Sequence, residues 1–123
     1  MTAEASVVLP DGAVSIALAR HWLRTVLVGA GAGVDAIEAA ATVLSELVDN
    51  AVEHAHAPVR VSVSLASGAV RCEVVDASPA LPRVPAGEGP GDETGGLQLV
   101  DALAARWGFE TIEGDGKVVW FEM

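Results

Sequence analysis

The sequence predicts an α+β fold: a two-layer sandwich in which a mixed, mostly antiparallel sheet carries helices packed on one face. Three observations lead there. Apolar residues recur at helical spacing in three segments, and the apolar period changes to two in stretches that pair off around short glycine turns. In addition, 51% of the 123 residues are hydrophobic, enough for one domain to bury a core without metal or disulfide staples. The chain is read as a single domain spanning residues 1–123.

Taken in order, Ser6 to Pro10 form a short extended lead. Asp11 or Gly12 can cap a first helix in which Val14, Leu18, Trp22 and Val26 recur every four positions, ending near Gly29, Gly31 and Gly33. Asp35 is the expected N-cap of a second helix, with Glu38 three residues on as in a capping box, and Ile37, Ala40, Leu44, Leu47, Val48 and Ala51 form its apolar stripe. This helix should run to about His56 and stop before Pro58. From Val59 the period is two: Val59, Val61, Val63 and Leu65 alternate with polar residues, and a Ser67-Gly68 turn leads to Val70, Cys72 and Val74. Four prolines and five glycines between Pro79 and Gly96 mark a long loop. Leu97, Val100, Leu103 and Trp107 restore helical spacing, after which Phe109 to Glu113, a Gly114-Asp115-Gly116 turn and Lys117 to Met123 read as a second hairpin. Trp22, Trp107 and Trp120 all fall on apolar phases, which assigns them to core packing.

Charge and cysteine content narrow the function classes. Seven Lys+Arg against 17 Asp+Glu give a net charge of −10, so binding to nucleic acid or to an anionic membrane would oppose the field of the whole protein. A single cysteine, Cys72, excludes an internal disulfide and fits a reducing compartment; on the apolar phase of its strand it reads as a buried structural thiol. No apolar run approaches the roughly 18 residues that span a bilayer, and Met1 to Pro10 lacks a basic n-region. A soluble, cytoplasmic protein is expected. There is no Walker A loop, no G-x-G-x-x-G fingerprint and no G-x-S-x-G elbow.

Three segments could carry chemistry. Glu46, Asp49, Asn50, Glu53 and His54 crowd into about two turns of the second helix, with no Lys or Arg between Arg24 and Arg60. Glu46 and Asn50, four apart, lie side by side, and a carboxylate beside a carboxamide oxygen suits Mg²⁺ that keeps its waters and substrate phosphates. The same spacing also describes a solvated polar face. His54 and His56 point in divergent directions and make a poor metal pair. Asp76 ends a strand, where an acceptor-only side chain can take a hydrogen bond from an exocyclic amino group; Asp-x-Ser-Pro is also ordinary turn chemistry. Thr94-Gly95-Gly96-Leu97 opens a helix, whose free N–H groups and dipole attract phosphate, although Gly-Gly before a helix also makes a plain turn.

The order of these segments is more specific than any one of them. It resembles the ATPase superfamily of gyrases, heat-shock chaperones, histidine kinases and mismatch-repair proteins, and within it the small bacterial anti-sigma-factor serine/threonine protein kinases. "ELVDNAVEHA" (46–55) looks like the N box, "VVDASPALP" (74–82) like the G1 box, "TGGLQLVDALAARWG" (94–108) like the G2 region and "GKVVWFEM" (116–123) like the closing strand. One Lys against six Arg fits a GC-rich bacterial genome. The resemblance implies ATP and Mg²⁺ as cofactors, with Asn50 on the metal and Glu46 as the base that activates the attacking hydroxyl. It assigns the adenine amino group to Asp76, the remaining nucleotide contacts to Ser78, Thr94, Gly95, Gly96 and Leu97, and the ATP lid to Pro79 through Thr94. The attacking serine or threonine would belong to an anti-sigma-factor antagonist, and a sigma factor is the other expected partner. Relatives also form homodimers through the first helix or the neighbouring sheet edge, for which Trp22 and Leu23 are candidates here. Two departures stand out: Thr94 takes the place of the first G2 glycine, and the lid carries Glu88, Asp92 and Glu93 against Arg83 alone. Both favour the alternative of a non-catalytic sequestering module with weak or no nucleotide binding.

Overall fold

The structure, a computed structural model, describes residues 2–10, 12, 14–54, 59–66, 68–76, 95–111 and 116–123. Five strands and three helices follow in the order β1 (Thr2–Leu9), α1 (Val14–Gly29), α2 (Val34–His54), β2 (Val59–Ala66), β3 (Ala69–Asp76), α3 (Gly95–Leu103), β4 (Arg106–Thr111) and β5 (Lys117–Glu122). The strands form one sheet in the order β1-β2-β3-β5-β4, antiparallel at every pairing. Because side chains alternate across a strand, Val59, Val61 and Val63 share one face with Val70, Cys72, Val74, Val119 and Phe121, all buried. Helices cover that face, which makes the fold the expected α+β sandwich.

The α2 helix is the spine of the helical layer, packed against α1, α3, β2 and β3. Ile37, Ala40, Leu44, Leu47, Val48 and Ala51 are all buried, as their spacing predicts. The N-terminus differs from expectation. The Ile37 N–H donates to the Gly33 carbonyl, so Gly33 is the N-cap and Asp35 lies within the first turn, where its charge meets the positive end of the helix dipole. Glu38 makes no capping box; it forms a two-pronged ion pair with Arg24 of α1, at 2.9 and 3.1 Å. The helix continues to His54, and the expected extension to His56 and the Pro58 stop lie outside the described residues.

In α1 the inward row is one residue out of step with the expected one. Ser15, Ala19, Leu23 and Leu27 are buried, whereas Val14 and Leu18 are 58% and 43% exposed and Trp22 and Val26 are half-buried at the margin. Small residues explain the shift: Ser15 and Ala19 let the helix settle onto the sheet, and the Ser15 hydroxyl donates to the Pro10 carbonyl. With no exposed surface, Leu23 is unavailable for a homodimer contact. At the C-terminus, Ala32 N–H reaches the Leu27 carbonyl and Gly31 N–H the Val28 carbonyl, a Schellman cap that places Gly31 at φ +82°. Of the two expected α1 caps, Asp11 is outside the described residues and Gly12 accepts from the Ser15 N–H.

Three further differences concern strands. The N-terminal strand extends back to Thr2 and pairs with β2 along its whole length. Helix α3 ends at Leu103, and Trp107 lies in β4 because pairing of Arg106 with Glu122 draws the chain into the sheet three residues before the expected strand. Trp120 is half-buried on the face away from the helices, so it is outside the core. Its ring sits over Gly108, where an added Cβ would lie 2.9 Å from the ring, and the Arg71 guanidinium stacks 4.4 Å from its centroid. Cys72 is fully buried, as expected.

Candidate functional site

Antiparallel topology brings the C-terminal end of α2 and Asp76 to one end of the sandwich. After His54, four residues lead to β2, whose Arg60 pairs with Val75, so the C-terminal end of α2 and the end of β3 belong to the same end of the sheet. Asp76 is the last residue of β3 and pairs in register with Lys117, the first of β5. Its Cβ shares the phase of Cys72 and Val74 and so points to the helical side. On the C-terminal side of α3, only Ala104 and Ala105 separate the helix from β4, which begins opposite Glu122 at the other end of β5. Gly95 and Gly96 are therefore at the far end of α3 from that connection.

Glu46, Asp49 and Asn50 are half-buried on α2, neither sealed in the core nor fully solvated. The side chains of Glu53, His54 and Leu97 are not among those described, although the backbone of these residues and of Gly95 and Gly96 is helical. Ser78, Thr94, the Pro79–Thr94 lid and His56 lie outside the described residues. Gly95 and Gly96 are the first residues of α3, and the first N–H groups of a helix have no partner within it, an arrangement an anion can use. Among the described residues no group of three or more His, Cys, Asp or Glu side chains could enclose a metal ion. The donors present, Asn50 with Glu46 one turn away, fit an ion that takes one or two protein oxygens and draws the rest from phosphates and water.

Sequence reasoning missed one member of the site. The side chain of Asp76 has no exposed surface and that of Lys117 is 3% exposed; the Lys117 ammonium lies 3.0 Å from Asp76 Oδ2 and 3.2 Å from Oδ1. Lysine is almost never buried without a partner, and this is the one lysine in the chain. The sequence held half of the signal: Lys117 shares its strand phase with Val119 and Phe121, and so points inward. The missing half was the register that sets it opposite Asp76. A separate open depression of about 380 Å³, lined by Glu4, Ser6, Ser62, Ser64, Arg71 and Glu73, is on the opposite sheet face and takes no part in this site.

Comparison with known proteins agrees with the fold. The chain aligns over 98% of its length with the crystal structure of the RsbU and RsbW domains of Rv1364c from Mycobacterium tuberculosis, at TM-score 0.75 and 24% identity. It spans 32% of that chain, and at this identity the likeness shows the fold alone. No curated protein matches the sequence. A family model for the histidine kinase-like ATPase domain matches residues 9–123, which takes in α1 through β5 and every candidate residue. The family is one of ATPase domains, which implies a nucleotide ligand, and no helix among the described residues is long and apolar enough to cross a membrane. By this match over nearly its whole length, the chain belongs to the histidine kinase-like ATPase domain family.

Proposed function

We propose that the protein is an ATP-dependent serine/threonine protein kinase of the anti-sigma type, which phosphorylates a protein antagonist and so governs the availability of a sigma factor. The observation that carries this reading is the family match together with the common end of the fold shared by the C-terminal half of α2 and Asp76. Asp76 accepts from the adenine amino group, and Ser78, Thr94, Gly95, Gly96 and Leu97 contact the nucleotide. Asn50 contributes its carboxamide oxygen to Mg²⁺, which when bound offsets the phosphate charge. Glu46 takes the proton of the partner's hydroxyl as that oxygen bonds to the γ-phosphorus and ADP leaves. Chemistry of this kind rests on positioning and charge, so the chain needs no nucleophile of its own. A net charge of −10 suits a basic sigma factor as partner and disfavours direct contact with nucleic acid or an anionic membrane.

One observation favours a second reading, a sequestering module that binds nucleotide weakly: Asp76 is already ion-paired and its side chain has no exposed surface. The deciding experiment is calorimetric titration with ATP and ADP, with and without Mg²⁺, beside Asn50→Ala and Glu46→Gln. The kinase reading expects Mg²⁺-dependent ATP binding that Asn50→Ala weakens and Glu46→Gln largely preserves. Glu46→Gln should then block phosphate transfer to the antagonist. Absence of binding by folded protein at millimolar nucleotide selects the sequestering module.

A further inference from the structure

The Asp76–Lys117 pair is costly where it stands. The same inward face carries Val61, Val74, Val119 and Phe121, and an apolar pair at this position would pack as well without desolvating two charges. Its geometry bears directly on ligand access. At 3.0 and 3.2 Å from the two carboxylate oxygens, the ammonium straddles both of them, and the Asp76 side chain has no exposed surface. A nucleobase amino group is a neutral donor, and a hydrogen bond from a neutral donor to a carboxylate is weaker than one from an ammonium. Such a group cannot displace Lys117 simply by arriving.

We propose that Lys117 is the residue that controls base recognition: it holds Asp76 in a closed ion pair, and a purine amino group reaches the carboxylate only when that pair opens. The proposal rests on the reading of Asp76 as the base acceptor and adds a latch to it. Nucleotide affinity is then reduced by the fraction of molecules in which the latch is open, and removing the ammonium restores it. Lys117→Thr suits the test because threonine favours strands and offers Asp76 a small hydroxyl donor, so the carboxylate is not left bare.

The first arm titrates ADP into the parent chain, Lys117→Thr, and Lys117→Thr combined with Asp76→Asn. Lys117→Thr should bind roughly tenfold or more tightly than the parent, and adding Asp76→Asn should remove that gain. The second arm uses the parent alone. With one lysine in the chain, its side-chain ammonium gives a single NMR resonance. Saturating ADP should move that resonance and speed its exchange with water. This arm decides the matter even where Lys117→Thr fails to fold, since an unmoved lysine signal at ADP saturation overturns the latch. Equal binding by parent and Lys117→Thr, with Asp76→Asn still weakening it, also overturns the latch while leaving Asp76 as the base acceptor. Gain in Lys117→Thr that survives Asp76→Asn refutes the base assignment itself. No binding by any folded variant at millimolar ADP overturns both.

Discussion

Alkaline pH should destabilise this protein through one buried atom, the Sγ of Cys72. The residue lies in β3 opposite Val63 of β2 and Phe121 of β5, with no exposed surface, and burial pushes its thiol well above the usual range. An unfolded chain presents the same thiol to water with an ordinary value of about 8.5. As pH rises past that value the unfolded state releases a proton that the folded state keeps. The stability associated with the neutral thiol is therefore complete below about pH 8.5 and declines above it by about 1.4 kcal/mol per pH unit. Integrated, the loss is about 1.4 kcal/mol at pH 9.5 and about 2.7 kcal/mol at pH 10.5. The chain contains no tyrosine, which removes a common competing titration in this range. Urea unfolding of the parent and of Cys72→Ala at pH 7.5, 9.5 and 10.5 isolates the thiol, because every other group cancels in the difference. Cys72→Ala should be the less stable protein at pH 7.5, from the cavity it leaves, and should close or reverse that gap by pH 10.5. A constant gap across the three pH values would falsify the reasoning, since the folded state would then accept the thiolate.

Other outcomes follow from the same packing. Asp76→Asn strands the Lys117 ammonium in the interior and should lower the unfolding free energy by about 3–5 kcal/mol, whereas an apolar replacement of both residues should recover most of the loss; chemical denaturation reads both. Gly31 and Gly29 should respond in opposite senses although neither has an atom within 4 Å of an added Cβ. Gly31→Ala forces a left-handed alanine and should cost about 1–2 kcal/mol, while Gly29→Ala, at the end of α1, should be neutral or raise the thermal midpoint. Glu122 is hydrogen-bonded by Arg71 and Arg106, which hold its carboxyl below the usual range. Its contribution is present above the ordinary glutamate value and is lost as pH falls through the folded one. Glu122→Gln should therefore be the less stable protein at neutral pH and converge with the parent as pH falls below about 4.3, which flattens that part of the acid limb.

How far the sequence reveals such a molecule depends on whether a signal is local. The α2 stripe was fully legible because six strongly apolar positions share one helical phase, and each of them is buried. In α1 two adjacent rows compete, and apolarity alone favours Val14 and Leu18 over Ser15 and Ala19; close approach to the sheet rewards the smaller row. Trp107 continues a helical spacing with no glycine or proline to interrupt it, so only its pairing partner Phe121, fourteen residues on, reveals a strand. The site divides in the same way. Glu46 and Asn50 can be paired from the helical repeat, and Asp76 from its place at a strand end. The role of Lys117 depends on a register across the intervening chain, which no local pattern encodes.

That register has a kinetic consequence. Strands β3 and β5 are neighbours in the sheet, yet Asp76 and Lys117 are 41 residues apart in the chain, with α3 and β4 between them. Relative to a turn of about three residues, closing such a loop costs about 2 kcal/mol more in chain entropy. The β2–β3 and β4–β5 hairpins can each zip along local contacts, while β5 must find the open edge of β3 from a distance, as β1 must find β2. Docking of β5 should thus be a late step in folding. Until it occurs, the row of Cys72 and Val74 has an open edge, vulnerable to pairing with another chain. The same late step brings Lys117 to Asp76, so the ligand end of the molecule is completed only when the sheet is.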